Sequence, residues 1–545
     1  MHKIPVIILY NKKQSIFCYL WVILLVTESG DEEFGSKIIF EETDDVSSSS
    51  EEECAAPDAA RSKITIMAKD GKAWERIHES NSAPRGRAPS RNLFRGSRVT
   101  GACRGIRTEA DAFSLLLDEP WMRHVRKCTE QYASTKQDGW SVGPNDFDAF
   151  IGLLYFRGAF NLQHKVDDLW NKTYGPPIFR ETMSRDQFRT IKRYLRFDDR
   201  PQRRHLLAQD KFAMAREILE RFVTNSQKCY LPEESLTIDE QLFPTKTRCP
   251  FTQYIPTKPD KFGIKFWILA EVNSKYCLVM KPYLGKEEQR EGSLGEHVVQ
   301  SLMKNYKGGG YNVTTDNFFT SVNVAKILCK DFGATLVGTV RVNRRELPII
   351  RSQLKLHDSE FFKHDSTVLV RYQTKKKKTV LLISNQHSDA VVPIIFDGKE
   401  NVKKKPEIVL YYNKNKCGVD MLDSMCRELS TKMPCRRWPV AVFFNILDMA
   451  LVNSWILFKK ITSSEISRRQ FAINLAEQLT SARRYQQSQA TIPPPSMNTR
   501  VRCQMPACKA KGPNGNKTDK LCAQCQKGCC GKCNYYVLCH FCKPM

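Results

Sequence analysis

The sequence lacks, beyond its first residues, any segment that we expect to be long and apolar enough to span a membrane. The early run from Ile16 to Val26 has the length of a signal-peptide core and is too short to cross a bilayer as a helix. No small-residue cleavage site follows it before the acidic stretch that begins at Glu28. We therefore expect neither secretion nor a membrane partner, and interpret the run as an atypical or mispredicted start.

Acidic residues are scarce relative to basic ones. The chain has 59 Asp and Glu against 85 Lys and Arg, which gives a formal net charge of +26. Such an excess favours a polyanionic partner, and nucleic acid is the commonest one. The charge alone says nothing about sequence recognition, because attraction to phosphates is nonspecific.

Complete motifs of two nucleotide-using enzyme classes are also missing. Gly308 to Gly310 is not followed by the Lys and Ser/Thr of a phosphate-binding loop, and a turn is expected there instead. The kinase-like triplet Asp331-Phe332-Gly333 has no glycine-rich loop or catalytic-loop motif to accompany it. Both signals are therefore set aside.

The length of 545 residues exceeds a single hydrophobic core and suggests three or four domains. Residues 28–108 are acidic and then arginine-rich, with little apolar content, so we expect disorder there. Residues 109–234 show helical periodicity, with Ser184 as a predicted N-cap and Gln187 at the third helical position. An apolar stretch at 440–458 predicts a buried helix.

From residue 235 the pattern changes to short runs rich in β-branched and aromatic residues. These predict strands at 235–239, 262–272, 276–284, 311–316 and 334–341, with a helix at 321–330. Three antiparallel-looking strands, a fourth after a connection, a helix and a fifth strand are typical of an RNase H-like fold. The predicted fold class is therefore mixed α/β.

Three separated aspartates suit a metal-dependent site in that fold. Asp239 ends the first strand and Asp316 the fourth, which lie side by side in this topology. Asp420 and Asp423 share one face of a helical stretch that would cover them. Such carboxylates can hold two divalent cations about 3.5–4 Å apart, which clamp the attacking and leaving oxygens of a phosphodiester. The alternative is coincidence, because acidic residues often fall near strand ends.

Many short blocks carry a family resemblance, in the same order from about residue 110 to the C-terminus. They are Met183–Asp186, Leu236–Leu242, Arg248–Phe251, Tyr254–Pro256, Lys258–Pro259, Gly263–Lys265, Pro282–Gly285, Asp316–Asn317, Phe319–Ser321, Val337–Arg341, Tyr411–Asn413, Gly418–Asp420 and Arg437–Pro439. Together they closely resemble the piggyBac transposase family.

The resemblance implies an RNase H-fold enzyme with catalytic residues Asp239, Asp316 and Asp420, and Asp423 as a fourth carboxylate of the same pocket. The first three would bind two Mg²⁺ or Mn²⁺ ions. Such transposases cut double-stranded DNA at the terminal inverted repeats of a transposon through 3′-hydroxyl attack. They pass through hairpin ends and join the element to a TTAA target.

The resemblance also implies a division of the chain into eight parts. They are a disordered N-terminal region (1–108), a helical dimerisation and DNA-binding domain in two parts (109–234 and 430–490), a catalytic domain in two parts (235–341 and 406–429), an insertion (342–405), a linker (491–500) and a cysteine-rich zinc domain (501–545).

Basic and polar positions beside the blocks are expected DNA contacts, although a solvated surface would look the same. They are Lys258, Lys261, Asn317, Arg341 and Arg344. Trp438 could stack on an unpaired base or pack in the core, and both interpretations stay open.

The last 43 residues carry nine of the 20 cysteines. Eight form four pairs, enough for two tetrahedral Zn²⁺ sites: Cys503 with Cys508, Cys522 with Cys525, Cys530 with Cys533, and Cys539 with Cys542. In the family's cross-brace module, which this pattern resembles, one Zn²⁺ ion would bind the first and third cysteine pairs. A second ion would bind the second and fourth pairs. Cys529 and His540 are alternative ligands. Disulfides would suit a secreted protein instead.

We therefore expect a nuclear, homodimeric, metal-dependent DNA transposase. The lysine runs Lys375–Lys378 and Lys403–Lys405 are candidate nuclear localisation signals, or solvated loops. One alternative is a domesticated descendant that binds DNA or chromatin without cutting. Another is a zinc-dependent protein-interaction adaptor, which would use the same cysteine pattern.

Overall fold

The computed structural model describes residues 64–77, 96–162, 165–256, 258–285, 292–387, 391–394, 403–491, 496–510, 512, 515–522, 524–525, 527–535 and 538–539. The early apolar run, His540 and Cys542 lie outside the described residues.

The described strands are β1 (Thr65–Met67), β2 (Ala73–Ile77), β3 (Arg98–Val99), β4 (Tyr230–Leu231), β5 (Ser235–Pro244), β6 (Thr252–Tyr254), β7 (Phe262–Glu271), β8 (Cys277–Pro282), β9 (Asn312–Thr315), β10 (Thr335–Thr339), β11 (Ser359–His364), β12 (Thr367–Lys375), β13 (Lys378–Ser384), β14 (Val391–Ile394), β15 (Lys403–Pro406), β16 (Ser496–Arg502), β17 (Lys517–Lys520), β18 (Asn534–Tyr535) and β19 (Leu538–Cys539).

The described α-helices are α1 (Glu109–Ser114), α2 (Glu119–Ser134), α3 (Pro144–Ala159), α4 (Val166–Leu169), α5 (Pro177–Thr182), α6 (Arg185–Tyr194), α7 (Arg203–Gln209), α8 (Ala213–Cys229), α9 (Leu294–Met303), α10 (Val322–Ile327), α11 (Glu407–Asn415), α12 (Gly418–Glu428), α13 (Trp438–Thr462), α14 (Arg468–Thr491) and α15 (Pro506–Lys509).

Polar caps begin several helices of the first half. The Ser184 hydroxyl accepts a hydrogen bond from the Gln187 amide, which confirms the predicted N-cap of α6. Thr108 and Asp111 form a reciprocal capping box at the start of α1. Eight helices lie between Glu109 and Cys229, so the prediction of a mostly helical segment is confirmed.

The centre of the fold is an eleven-stranded mixed sheet. Its order is β1-β2-β11-β12-β13-β10-β9-β5-β7-β6, and β8 also pairs with β7. β5 is antiparallel to β7 and parallel to β9, with Ile238 opposite Thr315, and β9 is parallel to β10. The prediction that the first and fourth strands of this region are neighbours is therefore confirmed.

The segment at 342–405 contributes three of these strands. β11, β12 and β13 form an antiparallel meander, and β13 joins the sheet by pairing with β10. The segment thus extends the central sheet, and α11 then packs on β5, β10 and β13.

The predicted disorder is wrong for residues 64–77. They form β1 and β2, and β2 adds to the edge of the sheet by pairing with β11. Trp74 anchors them, because its ring is fully buried and its Nε1 donates to the Glu346 carbonyl at 2.9 Å. The low average hydrophobicity of the region hides this anchor. Main-chain pairing and an ion pair between Arg76 and Glu360 at 3.0 Å add further contacts.

Helix α13 forms the core of the helical part and confirms the buried helix predicted at 440–458. Phe443 stacks on Trp121 of α2, and Tyr155 of α3 donates to the Leu447 carbonyl at 2.9 Å. Among the described residues, α13 is the one helix long and apolar enough to cross a membrane, contrary to the expectation that no such segment follows the N-terminus. Of its most apolar window, 94% is buried inside the protein.

Candidate functional site

Neighbouring strands bring Asp239 and Asp316 to the same level of the sheet. Ile238 of β5 pairs with Thr315 of β9, so the two aspartates are the next residues along parallel strands. Asp316 directly follows β9, where the chain turns, and its carboxylate accepts the Phe318 amide at 2.9 Å. Both carboxyl groups are partly buried.

Helix α12 covers the face of β5 that carries Asp239. Alternate residues of a strand share a face, so Thr237, Asp239 and Gln241 point toward this helix. A Cβ at Gly418, where α12 begins, would lie 2.4 Å from Thr237 Cγ2, so only glycine permits this close approach. One turn further on, the Gln241 amide donates to Asp423 at 2.8 Å. Two fixed points therefore hold α12 over the strand.

Asp420 lies on α12 between these two fixed points. Its side chain is 62% exposed, and Lys258 Nζ lies 3.9 Å from its Oδ1. Asp239 and Asp420 are close enough to interact electrostatically, as described next. The structure therefore brings Asp239, Asp316 and Asp420 to one region, although they are far apart in sequence.

The three carboxylates crowd one another. Burial, together with the charges of Glu240, Asp316 and Asp420, raises the pKa of Asp239 to about 8. Burial also raises the pKa of Asp316, against the effect of backbone hydrogen bonds and of Arg341. Bound cations would relieve this repulsion, and carboxylate oxygens are the ligands that Mg²⁺ and Mn²⁺ prefer. The donor set therefore fits the divalent metal expected from sequence.

Asp423 has a different environment from the other three aspartates. Its Oδ1 accepts from Gln241, and its Oδ2 accepts from Arg427 Nε at 2.9 Å. Arg427 also forms an ion pair with Asp260 at 2.5 Å, in the loop that carries Lys258. In this arrangement Asp423 joins α12 to β5 and to the lysine loop.

Of the expected DNA-contacting residues, Lys258 lies beside Asp420, and the charge of Arg341 acts on Asp316. Lys261 is exposed and has a positive φ of 52° at the turn before β7. Arg341 is exposed and donates to Asn317 Oδ1 at 3.0 Å, beside Asp316. Arg344 donates to the Thr320 carbonyl at 3.0 Å.

Trp438 packs in the core. Its side chain is 4% exposed, and its ring lies 5.4 Å from that of Phe212 and 5.0 Å from that of Phe251. Of the two open interpretations, the structure favours core packing. In this conformation the ring is not free to stack on a base.

Lys265 is a buried cation of the site that the sequence analysis did not single out. Its Nζ lies 3.8 Å from Glu240 Oε2 and 3.9 Å from the centroid of the Trp267 ring. Burial lowers the pKa of Lys265, while Glu240, Asp239 and Asp316 raise it. The available signal was one lysine in the otherwise apolar middle of β7.

Four cysteines near the C-terminus form a second candidate site. Their ligand atoms all lie within 4.8 Å of one another, and no other group of three or more potential ligands in the described residues converges so closely. They are Cys503, Cys508, Cys530 and Cys533. The first and third pairs thus come together, as the cross-brace arrangement expects.

The chemistry of the four cysteines suits zinc. All are free thiols, so the disulfide alternative finds no support in this group. Burial opposes ionisation of Cys530, but hydrogen bonds from the Asn516 amide and the backbone lower its pKa to about 6. Thiolates are the ligands of structural zinc. Cys522 is buried and Cys525 is partly buried, while Cys542 and the side chain of Cys539 lie outside the described residues.

Comparisons with known proteins agree with this geometry. A family profile described as Transposase IS4 matches residues 108–455, the part that carries all three crowded aspartates. A solved structure, the cryo-EM structure of a piggyBac transposase synaptic complex with hairpin DNA, superposes with a TM-score of 0.68 at 30% identity. The match covers 82% of this chain and 100% of that one. The chain belongs to the piggyBac transposase family.

Curated relatives of this piggyBac family member are more distant. PiggyBac transposable element-derived protein 3 of Homo sapiens is 24% identical over 390 residues. The chimeric ERCC6-PGBD3 protein of Homo sapiens matches to the same extent. The alignment covers 67% of this chain, 64% of the first relative and 36% of the second, so the chain spans under two thirds of either.

Proposed function

We propose that the chain is a metal-dependent DNA transposase that cleaves and joins strands at transposon ends. The observation that carries the proposal is the convergence of Asp239, Asp316 and Asp420. Burial, together with the charges of Glu240, Asp316 and Asp420, raises the pKa of Asp239 to about 8. Burying like charges is costly unless a cation compensates them. Membership of the piggyBac transposase family supports DNA as the substrate.

The sheet topology supports an RNase H-like catalytic domain. The neighbouring strands β8-β7-β5-β9-β10 combine three antiparallel strands with two parallel ones, and α10 connects β9 to β10. The catalytic residues in this proposal are Asp239 within β5, Asp316 directly after β9, and Asp420 on α12. Asp423 is the proposed fourth carboxylate, and it acts through the position of α12.

The proposed reaction is in-line phosphoryl transfer. Water, or later a DNA 3′-hydroxyl, attacks the phosphorus, the bond to the leaving 3′-oxygen breaks, and that oxygen takes up a proton. Two divalent cations held by Asp239, Asp316 and Asp420 would supply the charge that stabilises the transition state. Lys258, beside Asp420, and Arg341, beside Asn317, are placed to hold the DNA backbone against the carboxylates.

Further proposals follow from the family resemblance. For the reaction, we propose hairpin ends and joining to a TTAA target. For the protein, we propose a homodimer with two zinc ions in each C-terminal cysteine module. We also propose a nuclear location. The run Lys375–Lys378 is exposed where β12 meets β13, which supports a role as an import signal.

Single aspartate substitutions test the proposal. Asp239→Asn, Asp316→Asn and Asp420→Asn each remove one metal ligand with little change in size, so we expect at least about a hundredfold loss of Mg²⁺-dependent cleavage of a duplex transposon end. Asp331→Asn, at an exposed position, is the matched control. Cleavage at the control rate by all three variants would exclude this active site. DNA binding by a wild-type chain that does not cut would favour the domesticated alternative.

A further inference from the structure

A strongly basic cavity of about 290 Å³ lies away from the carboxylates. It opens between the end of α6, the segment after β5 and the start of α13, and one acidic residue, Asp198, lines it. We call it the arginine cavity. Its five arginines are Arg196, Arg203, Arg248, Arg436 and Arg437.

Three of these arginines have structural partners. Arg196 donates to the Leu195 carbonyl at 2.7 Å, and its guanidinium carbon lies 3.4 Å from the centroid of the Tyr132 ring. Arg203 forms a two-point ion pair with Asp198, at 2.6 and 2.8 Å. Arg437 donates to the carbonyls of Lys192 and Arg193, at 3.0 and 3.1 Å, at the end of α6. Their guanidinium groups are therefore held in place without an external ligand, and they set the charge of the cavity wall.

The cavity is not electrically balanced by the protein. Burial, together with the neighbouring charges of Arg196 and Arg203, lowers the pKa of Arg437 to about 10. The one lining carboxylate, Asp198, is already paired with Arg203. Like charges crowded in this way destabilise a fold unless an anion joins them.

Arg248 and Arg436 are the arginines available to an external anion. Both are exposed at the cavity, and neither has a carboxylate within 4.0 Å in the part of the chain that the structure describes. A backbone bridge between Arg248 and Arg437 holds the two walls together. Guanidinium groups on opposing walls are suited to phosphate, which they bind through several N–H donors.

We propose that the arginine cavity binds a backbone phosphate of the DNA substrate, several nucleotides from the bond that is cut. The inference rests on the proposed function and adds a contact that anchors DNA beyond the active site. β5 continues for five residues past Asp239, about 17 Å at roughly 3.3 Å per residue, and Arg248 follows it. One wall of the cavity, at Arg248, thus follows the end of β5 that leads away from Asp239.

DNA explains the cavity better than a free phosphate ion does. The volume exceeds that of one phosphate group, and Phe197, Met214 and Trp438 give it apolar lining that suits a sugar ring. The two unpaired arginines are exposed, as contacts with a long polymer require. The chain as a whole carries a charge of +26.

The test is the salt dependence of DNA binding by the full chain. In Arg248→Ala/Arg436→Ala both substitutions are at exposed positions, so folding should be preserved, as circular dichroism would verify. We expect about tenfold weaker binding to a duplex transposon end, and a plot of log Kd against log salt whose slope is smaller by about one. The lysine variant, Arg248→Lys/Arg436→Lys, should recover most of the salt slope.

The control, Arg351→Ala/Lys363→Ala, removes two exposed charges elsewhere. A slope for the cavity variant equal to that of the control would overturn the proposal. A cavity that binds only inorganic phosphate would also overturn it. In that case phosphate would raise the melting temperature of wild type but not of the cavity variant, and the salt slopes of DNA binding would be equal for the two proteins. A wild type that binds no DNA would also overturn it. A changed slope in a protein that does not cut DNA would support the cavity and refute the proposed function.

Discussion

At the scale of single residues, Asp448 shows how burial and hydrogen bonding compete. Its side chain is 2% exposed within α13 and accepts hydrogen bonds from the Ser430 hydroxyl and from the Thr431 amide and hydroxyl. Burial raises the pKa of Asp448 to about 7, although these bonds favour the carboxylate. Asp448 thus joins the segment that follows α12 to helix α13.

The raised pKa of Asp448 predicts a dependence of stability on pH. The unfolded chain releases this proton near pH 3.8 and the folded chain near pH 7, so its contribution to the free energy of unfolding declines as the pH rises between these values. Asp448→Asn cannot titrate. Between these pH values, we expect the free energy of unfolding of the variant to decline less than that of wild type, with a difference of roughly 1–3 kcal/mol.

Melting temperatures of wild type and Asp448→Asn, measured at several pH values, check this expectation. The gap between the two proteins should change steadily from about pH 4 to about pH 7 and then level off. The exposed control Asp331→Asn should follow wild type. A constant gap between Asp448→Asn and wild type would show that Asp448 ionises normally in the fold.

Sequence reasoning located the aspartates but did not separate their roles. Asp420 and Asp423 are three residues apart on one helix, and spacing alone treats them alike. The hydrogen bond from Gln241 to Asp423 joins residues 182 positions apart. Its existence depends on how α12 docks on the sheet, so no local pattern could have shown it.

At the scale of elements, the docking of α12 on β5 decides whether Asp420 reaches the other carboxylates. Gly418 allows the helix to begin against Thr237, where any side chain would meet Cγ2 at 2.4 Å. Arg427, at the other end of the helix, forms ion pairs with Asp423 and Asp260. The helix is thus fixed at both ends.

Gly418→Ala should displace α12 from β5. The added methyl group clashes with Thr237 and has no room to move, and overpacking of this kind typically costs about 1–3 kcal/mol. We expect a cleavage rate at least about tenfold lower, since small misplacements of catalytic groups are costly. Gel-based cleavage of a duplex transposon end measures the effect.

The double variant Gly418→Ala/Thr237→Ala tests whether the clash with Thr237 causes the loss of activity. Removing Thr237 Cγ2 leaves the new methyl group about 3.5 Å from the nearest atom of that residue, an ordinary contact. We expect cleavage to recover toward the rate of Thr237→Ala alone. Equal activity of Gly418→Ala and wild type would show that the close approach is not needed.

The sequence predicted the helices and strands that have a strong hydrophobic periodicity. It did not predict the strands that are held mainly by main-chain hydrogen bonds to a neighbouring strand. The five strands and the helices around the aspartates were found because apolar alternation and capping residues are local signals. β1 and β2 were missed because one tryptophan and main-chain hydrogen bonds hold them. The arginine cavity was missed because its walls come from three separate stretches of chain.

At the scale of the whole molecule, the cysteine module is too small to fold on a hydrophobic core. Its buried cluster consists almost entirely of cysteine side chains, with Met505 as the other member. A domain of this kind depends on bound metal for its stability. The large sheet and the helical part have extensive apolar cores of their own.

Cys508→Ser should therefore remove at least one zinc ion per chain and unfold the C-terminal module, while the rest of the protein melts as in wild type. Elemental mass spectrometry of the purified protein measures the zinc content, and calorimetry follows the two transitions. Cys249→Ser, at a partly exposed cysteine outside the module, is the control. Unchanged zinc content in Cys508→Ser would show that this cluster does not bind metal.

The pairing of β2 with β11 has a practical consequence for fragments of this protein. A fragment that began at residue 108, where the family match starts, would leave the outer edge of β11 without its neighbour. The unpaired backbone groups of an exposed edge strand can pair with those of another chain. Such a fragment is therefore prone to self-association during expression. Truncations intended for crystallography or for enzymology should therefore retain the residues from Ile64 onward.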